Sequence, residues 1–237
     1  MTYEGFSLQG EKLLRDADAG WVGRLAVGAG LIVVSVVLGV AAGLALVVGE
    51  VMERGGGWEH AFGVVEVVLA LVYVVGVWWL TEREPGVGVG MGTRRDPKSR
   101  RVARVMAVTA FGSGVLAEMG TGLGRQYVWL TTVGEIVDGL TGLIGYVALF
   151  VYLQGLAWRL PDEPLADSTR TVMWGVVLSS GVVFLLGLLG VRGGLAGLGM
   201  CAAAIALLVF ALWTVYLLAR YRVGLRAVAD EVERRMS

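Results

Sequence analysis

Apolar residues in this chain fall into long blocks, unlike the period-two alternation of a half-buried strand or the narrow stripe of a soluble amphipathic helix. Six blocks cover about 22–48, 60–80, 102–122, 127–158, 172–191 and 195–219, and a helix crossing the hydrocarbon core needs about 20 predominantly apolar residues. The pattern predicts an all-α, polytopic membrane protein, a single domain over 1–237 with six transmembrane helices arranged as three hairpins. The third block is the weakest, because Arg104 and Glu118 bracket its apolar run closely. A run that short also suits a buried or re-entrant segment.

Charge asymmetry favours a full crossing there. With six spans and the N-terminus inside, Lys12, Arg15, Arg24, the bases from Arg83 to Arg104, Arg159, Arg170 and the arginines from Arg220 to Arg235 are all cytoplasmic. Only Arg54, Arg125 and Arg192, of 20 Lys and Arg, then lie outside, as the positive-inside bias requires. Without the third crossing, the basic C-terminal segment would be on the outer side. Both termini are therefore expected in the cytoplasm, and a bacterial or archaeal cytoplasmic membrane is the expected location. Aromatic residues agree with this threading, since Trp and Tyr favour the headgroup level. Trp21, Trp78, Trp79, Trp158 and Trp174 fall near predicted inner ends, and Trp58, Tyr127 and Trp129 near outer ends.

Composition narrows the chemistry. The chain is 56% hydrophobic and 17% charged, which leaves the lipid bilayer as its first partner. Its 37 glycines are about twice the usual share of roughly 7%. With few prolines and no three-residue period, they read as helix-packing residues. Cys201 is the only cysteine, so no intramolecular disulfide forms. His60 is the only histidine, so one chain supplies neither bis-histidine haem ligation nor a histidine-rich metal cage. No G-x-S-x-G, C-x-x-C or H-E-x-x-H occurs, and Gly86, Gly88, Gly90 and Gly92 match no phosphate-cradling pattern. Neither enzyme activity nor a cofactor is expected. The bases from Arg94 to Arg101 follow from membrane topology, so no nucleic-acid partner is expected either.

The connections are short except for 82–101, a basic, glycine-rich cytoplasmic loop in which Asp96 and Pro97 would start the third span. Before the first span, Ser7 would cap a short helix with Glu11 and Arg15 four apart and Leu13, Leu14 and Ala17 forming an apolar face. The first apolar block exceeds the roughly 7–15 residues of a secretory signal core and reads as a retained span. After the sixth span, residues 220–237 place Leu225, Val228, Ala229 and Val232 on one side of a basic helix. That helix is either interfacial or partner-binding, or a solvated extension of span six.

The candidate chemistry lies in the fourth span, where Glu135 and Asp138 interrupt hydrocarbon-facing sequence at a cost of several kcal/mol by most scales. Thr131, Glu135, Asp138, Gly142 and Gly145 recur at spacings that line one helical face. On the second span, Glu59, Glu66 and Tyr73 stack likewise. Glu66 and Glu135 each lie about eight residues from an outer end, or about 12 Å deep. Glu118 could join them, with Thr109 and Ser113 supplying hydroxyls. Such a pocket, in the outer half of the bilayer, would suit a small cation or a proton. Alternatively the acids are protonated or hydrogen-bonded glue between helices. Di-metal carboxylate chemistry lacks the Glu-x-x-His pairs that such bundles use.

Glycine spacing points to a second reading. Gly39 and Gly43, like Gly120 and Gly124, satisfy the small-xxx-small pattern that lets helices approach closely. Packed within the chain they build the bundle; facing lipid they would join a homo-oligomer or another membrane subunit. The two functional expectations are a cation- or proton-handling bundle using Glu66, Glu118, Glu135, Asp138 and Thr131, and a structural or assembly subunit held by Gly39, Gly43, Gly142 and Gly145.

Overall fold

The computed structural model of the chain describes residues 14, 17–51, 58–85, 98–122, 127–160, 163–188 and 194–236. Ser7, Glu11, Arg15, the loop residues 86–97, Gly124 and Arg125 lie outside the described residues, as do the side chains of Trp58, Glu59 and His60. Every regular element among the described residues is helical: α1 Ala19–Val51, α2 Trp58–Leu80, α3 Lys98–Gly122, α4 Val128–Arg159, α5 Glu163–Leu188 and α6 Gly194–Met236. Among the described residues, five helical stretches are long and apolar enough to cross a membrane: Ala19–Ala45, Phe62–Leu80, Lys98–Gly120, Trp129–Arg159 and Cys201–Arg235. This is the build of an α-helical membrane protein, and the weak third block is a helix of that kind. Helix α5 stands apart from the five. It begins at Glu163, well before the apolar block near 172, and α6 runs through 219 without a break.

Each helix packs on its neighbours in sequence, and α6 returns to α1. Close contacts fix the directions. Ser35 of α1 donates to the Leu69 carbonyl of α2 at 3.0 Å, in register with an approach of Gly28 to Gly76 and Leu80. Along α3 and α4, Gly145 meets Met106, Gly134 meets Ala117 and Gly120 meets Thr131, one constant antiparallel register over the whole pair. Small residues allow this closeness, which supplies the packing energy that lipid-embedded helices depend on.

The core lies at one end. Trp21, Val22, Leu25 and Ala29 of α1 meet Val77 and Leu80 of α2, Ala103 and Ala107 of α3, Leu149, Leu153 and Leu156 of α4, Leu165 and Val172 of α5, and Leu217 and Tyr221 of α6. Those residues cluster where α1, α3 and α5 begin and where α2 and α4 end. The same end carries most of the described bases and is called the basic end below. Leu14, Leu225 and Ala229 belong to the same cluster, so the apolar side of the C-terminal segment is covered by this chain. Toward the opposite end, large apolar side chains such as Val64, Val68, Leu140, Ile144 and Leu178 are exposed, as suits a surface solvated by acyl chains.

Candidate functional site

At the basic end, polar contacts hold α1 to α4 together. Trp21 Nε1 donates to the Glu82 carbonyl at 3.0 Å, while Arg24 Nε reaches the Glu82 carboxylate at 2.6 Å. Both ionic partners of that pair are well exposed, so it contributes about 1 kcal/mol or less. The Arg159–Glu84 pair, 3.0 Å apart, is more enclosed, and the Arg159 guanidinium lies 5.7 Å from the Trp21 ring centre. Arg104 of α3 closes the C-terminus of α2. It donates to the Trp78 and Thr81 carbonyls at 2.9 and 2.7 Å and to Thr81 Oγ1 at 2.8 Å, and it stacks over Trp78. Those carbonyls are the ones a helix end leaves without intrahelical donors.

Deeper in the core, tyrosines tie three helices together. Tyr221 is fully buried; its hydroxyl donates to the Leu153 carbonyl of α4 and shares a 2.9 Å hydrogen bond with Thr169 of α5. Tyr146 of α4 meets Thr214 of α6 at 2.9 Å. Above these contacts the core stops, yet the helical stripes that formed it continue. Seven residues are nearly two helical turns, so such spacing keeps a residue on one face. Glu135 and Gly142 are exposed, whereas Leu149 and Leu156, on the same stripe of α4, are buried. On α2 the sequence is Glu66 exposed, Tyr73 half-buried, Leu80 buried. On α1, Gly43 is exposed above half-buried Val36 and buried Ala29.

The candidate acids thus lie on core-facing stripes beyond the level where the core closes. By the α3–α4 register Glu135 stands level with Leu116, and Glu66 lies three residues inward of Gly63, whose partner on α3 is Glu118. Glu118 lies against α2: a Cβ on Gly63 would fall 2.6 Å from its Oε2. Glu66, Glu118, Glu135 and Asp138 are all exposed. Among the described residues, no three His, Cys, Asp or Glu side chains stand close enough to hold a metal ion together. Thr131 is half-buried against Gly120 of α3. Ser113 donates to the Thr109 and Ala110 carbonyls and Thr109 to that of Val105, so both hydroxyls are engaged within their own helix.

The glycines divide. Gly145 packs against Met106, but a Cβ on Gly39, Gly43 or Gly142 would meet no described atom within 4 Å. The close approach of α1 to α2 falls instead at Gly28 and Gly76, where a Cβ on Gly28 would lie 2.8 Å from the Gly76 carbonyl. Reading motifs missed this pair, since the two glycines are far apart in sequence. It also missed Glu82 and Glu84, whose presence in an otherwise basic loop was the available signal. Compared with family models, curated proteins and solved structures, the chain matches no family and shows significant similarity to no curated protein or solved structure.

Proposed function

We propose that the chain crosses the membrane six times with both termini in the cytoplasm, and that the outer half of its bundle takes up a proton or a small hydrated cation. Residues 171–188 of α5 contain no ionisable residue, which suits a sixth crossing. One observation carries the binding reading: the stripes that build the sealed core at the basic end become acidic and exposed farther along α2 and α4, at Glu66, Glu135 and Asp138. Carboxylates on the inward stripe of an open outer half can be hydrated from outside, and passage across the bilayer then requires the packed basic end to open. With no three-carboxylate group among the described residues, a proton or a hydrated monovalent cation fits better than a dehydrated divalent ion, which takes six or more oxygen ligands.

Flux of protons or monovalent cations into liposomes tests the reading. A Glu135→Gln, Asp138→Asn double variant of equal thermal stability should lose the flux of the native protein. Equal flux in both, or none in either, would refute it for the ions tested.

A second reading, an assembly subunit, is favoured by the open space over Gly39, Gly43 and Gly142, which would admit a helix from a second copy or another subunit. It expects Gly39→Leu to break an association measured by crosslinking in native membranes, and the acid substitutions to leave that association intact.

A further inference from the structure

The arginines that frame the basic end have partners: Arg24 binds Glu82, Arg159 binds Glu84, and Arg104 binds α2 carbonyls. Arg222 differs. Its guanidinium lies across α1, so that a Cβ on Gly30 would fall 3.2 Å from Nε and 3.3 Å from Cζ. Its Nε is buried and meets no acceptor among the described residues. A buried guanidinium N–H without an acceptor is costly, and an unsatisfied buried donor in a native fold calls for a group that completes it.

The surroundings define that group. Arg226, one helical turn further along α6, is exposed and brings a second positive charge to the same side. Gly23, seven residues before Gly30 on α1, would admit a Cβ with no described atom within 4 Å, so among the described residues nothing fills the α1 side of the groove toward the basic end. In the other direction the groove is flanked by exposed Val34 of α1 and Leu212 of α6. Two guanidinium groups below an apolar flank match a phosphate joined to an acyl chain. Basic sites between helices on the cytoplasmic side are suited to anionic headgroups, and the planar fork of Arg is suited to phosphate oxygens.

We propose that the groove between α1 and α6 binds the phosphate of an anionic phospholipid of the cytoplasmic leaflet, with Arg222 as its main ligand and Arg226 assisting. The assignment rests on the inside orientation of the basic end proposed above and is independent of any ion flux. A failed topology measurement would remove the leaflet, whereas a failed binding measurement would remove the site.

The test is lipid retention by the purified full-length protein in mild detergent, read by native mass spectrometry during titration with phosphatidylglycerol, phosphatidylcholine or inorganic phosphate. Phosphatidylglycerol should bind in preference to phosphatidylcholine. Arg222→Gln should weaken its binding by about tenfold or more, the range expected for losing hydrogen bonds to a charged group. Arg101→Gln, which removes the same charge from exposed α3 surface, should change it by less than about twofold. Native-like binding by Arg222→Gln, or an equal loss in Arg101→Gln, would overturn the site. Inorganic phosphate that competes at the same concentration as the lipid would overturn the lipid as its source. If Arg222→Gln does not fold, Gly30→Val keeps the charge but displaces the guanidinium from its seat, and undiminished lipid binding by that variant overturns the proposal.

Discussion

Two Gly→Ala substitutions on the same helix separate packing from helix propensity. At Gly28 a Cβ would lie 2.8 Å from the Gly76 carbonyl and 2.9 Å from Leu80 Cα, and closer still to Leu80 N. All three are backbone atoms, so no side-chain rotation relieves the contact and α2 as a whole must move outward. Ordinary contact begins near 3.5 Å, which puts the required separation at roughly 0.5–1 Å. A shift of that size also loosens Ile32 against Gly76 and the Ser35–Leu69 hydrogen bond beyond it. Overpacking of this kind costs about 1–3 kcal/mol. At Gly39 the same Cβ meets nothing within 4 Å, so Gly39→Ala should be neutral or stabilising by up to about 1 kcal/mol from helix propensity. The propensity gain is common to both variants, so their difference isolates the packing cost, about 1–3 kcal/mol against Gly28→Ala. Reversible unfolding by SDS in mixed micelles measures it. Equal stability of the two variants, or a more stable Gly28→Ala, would refute the close α1–α2 approach.

Other substitutions probe the basic end and the threading. Tyr221→Phe removes a buried hydroxyl that serves Leu153 and Thr169 and should cost about 1 kcal/mol in the same assay, whereas Tyr216→Phe, at an exposed position, should be silent. Trp21→Ala empties a fully packed site and should cost about 3–5 kcal/mol; a loss below 1 kcal/mol would show that Trp21 is not part of the core. Glu82→Gln breaks an exposed ion pair and should cost no more than about 1 kcal/mol, diminishing with salt. In a Cys201→Ser background, single cysteines at Glu84 and Glu233 should react with a membrane-impermeant thiol reagent only after inner access is opened. A cysteine at Arg54 should react from outside, and the reverse pattern would invert the proposed topology.

What the sequence made legible was what depends on composition along one helix. Apolar length marked the helices, including the α3 stretch bracketed by Arg104 and Glu118. Arg104 does not shorten that helix because its guanidinium turns to the α2 carbonyls and the Trp78 face, leaving its stem beside apolar neighbours. Pairing between helices was less legible. Gly39 and Gly43 satisfy the local spacing for close packing, but α1 approaches α2 at Gly28, because the approach depends on where Gly76 and Leu80 arrive from another part of the chain. The stripe shared by Glu135 and Gly142 could be read from spacing alone. Its exposure could not, since that depends on where the core between six helices ends.

Under the proposed threading the two ends of the bundle meet different solvents, and this accounts for the acids and the core occupying the same stripes at different heights. Where helices emerge into water, apolar burial is favourable at about 25 cal/mol per Å², so Trp21, Leu80, Leu153 and Leu225 gain by converging. Within hydrocarbon that gain vanishes, and only close packing and interhelical hydrogen bonds hold helices together. Those contacts persist along α3 and α4, where Gly120, Gly134 and Gly145 continue the register, but do not extend over Gly39 and Gly43. The opening of the outer half therefore follows from an uneven distribution of small residues at helix crossings, with no strain required. Carboxylates on an open inward stripe avoid the full cost of immersion in lipid only if water, an ion or a partner helix reaches them. The proposed uptake of a proton or a hydrated cation at Glu66, Glu135 and Asp138 is one way of meeting that cost.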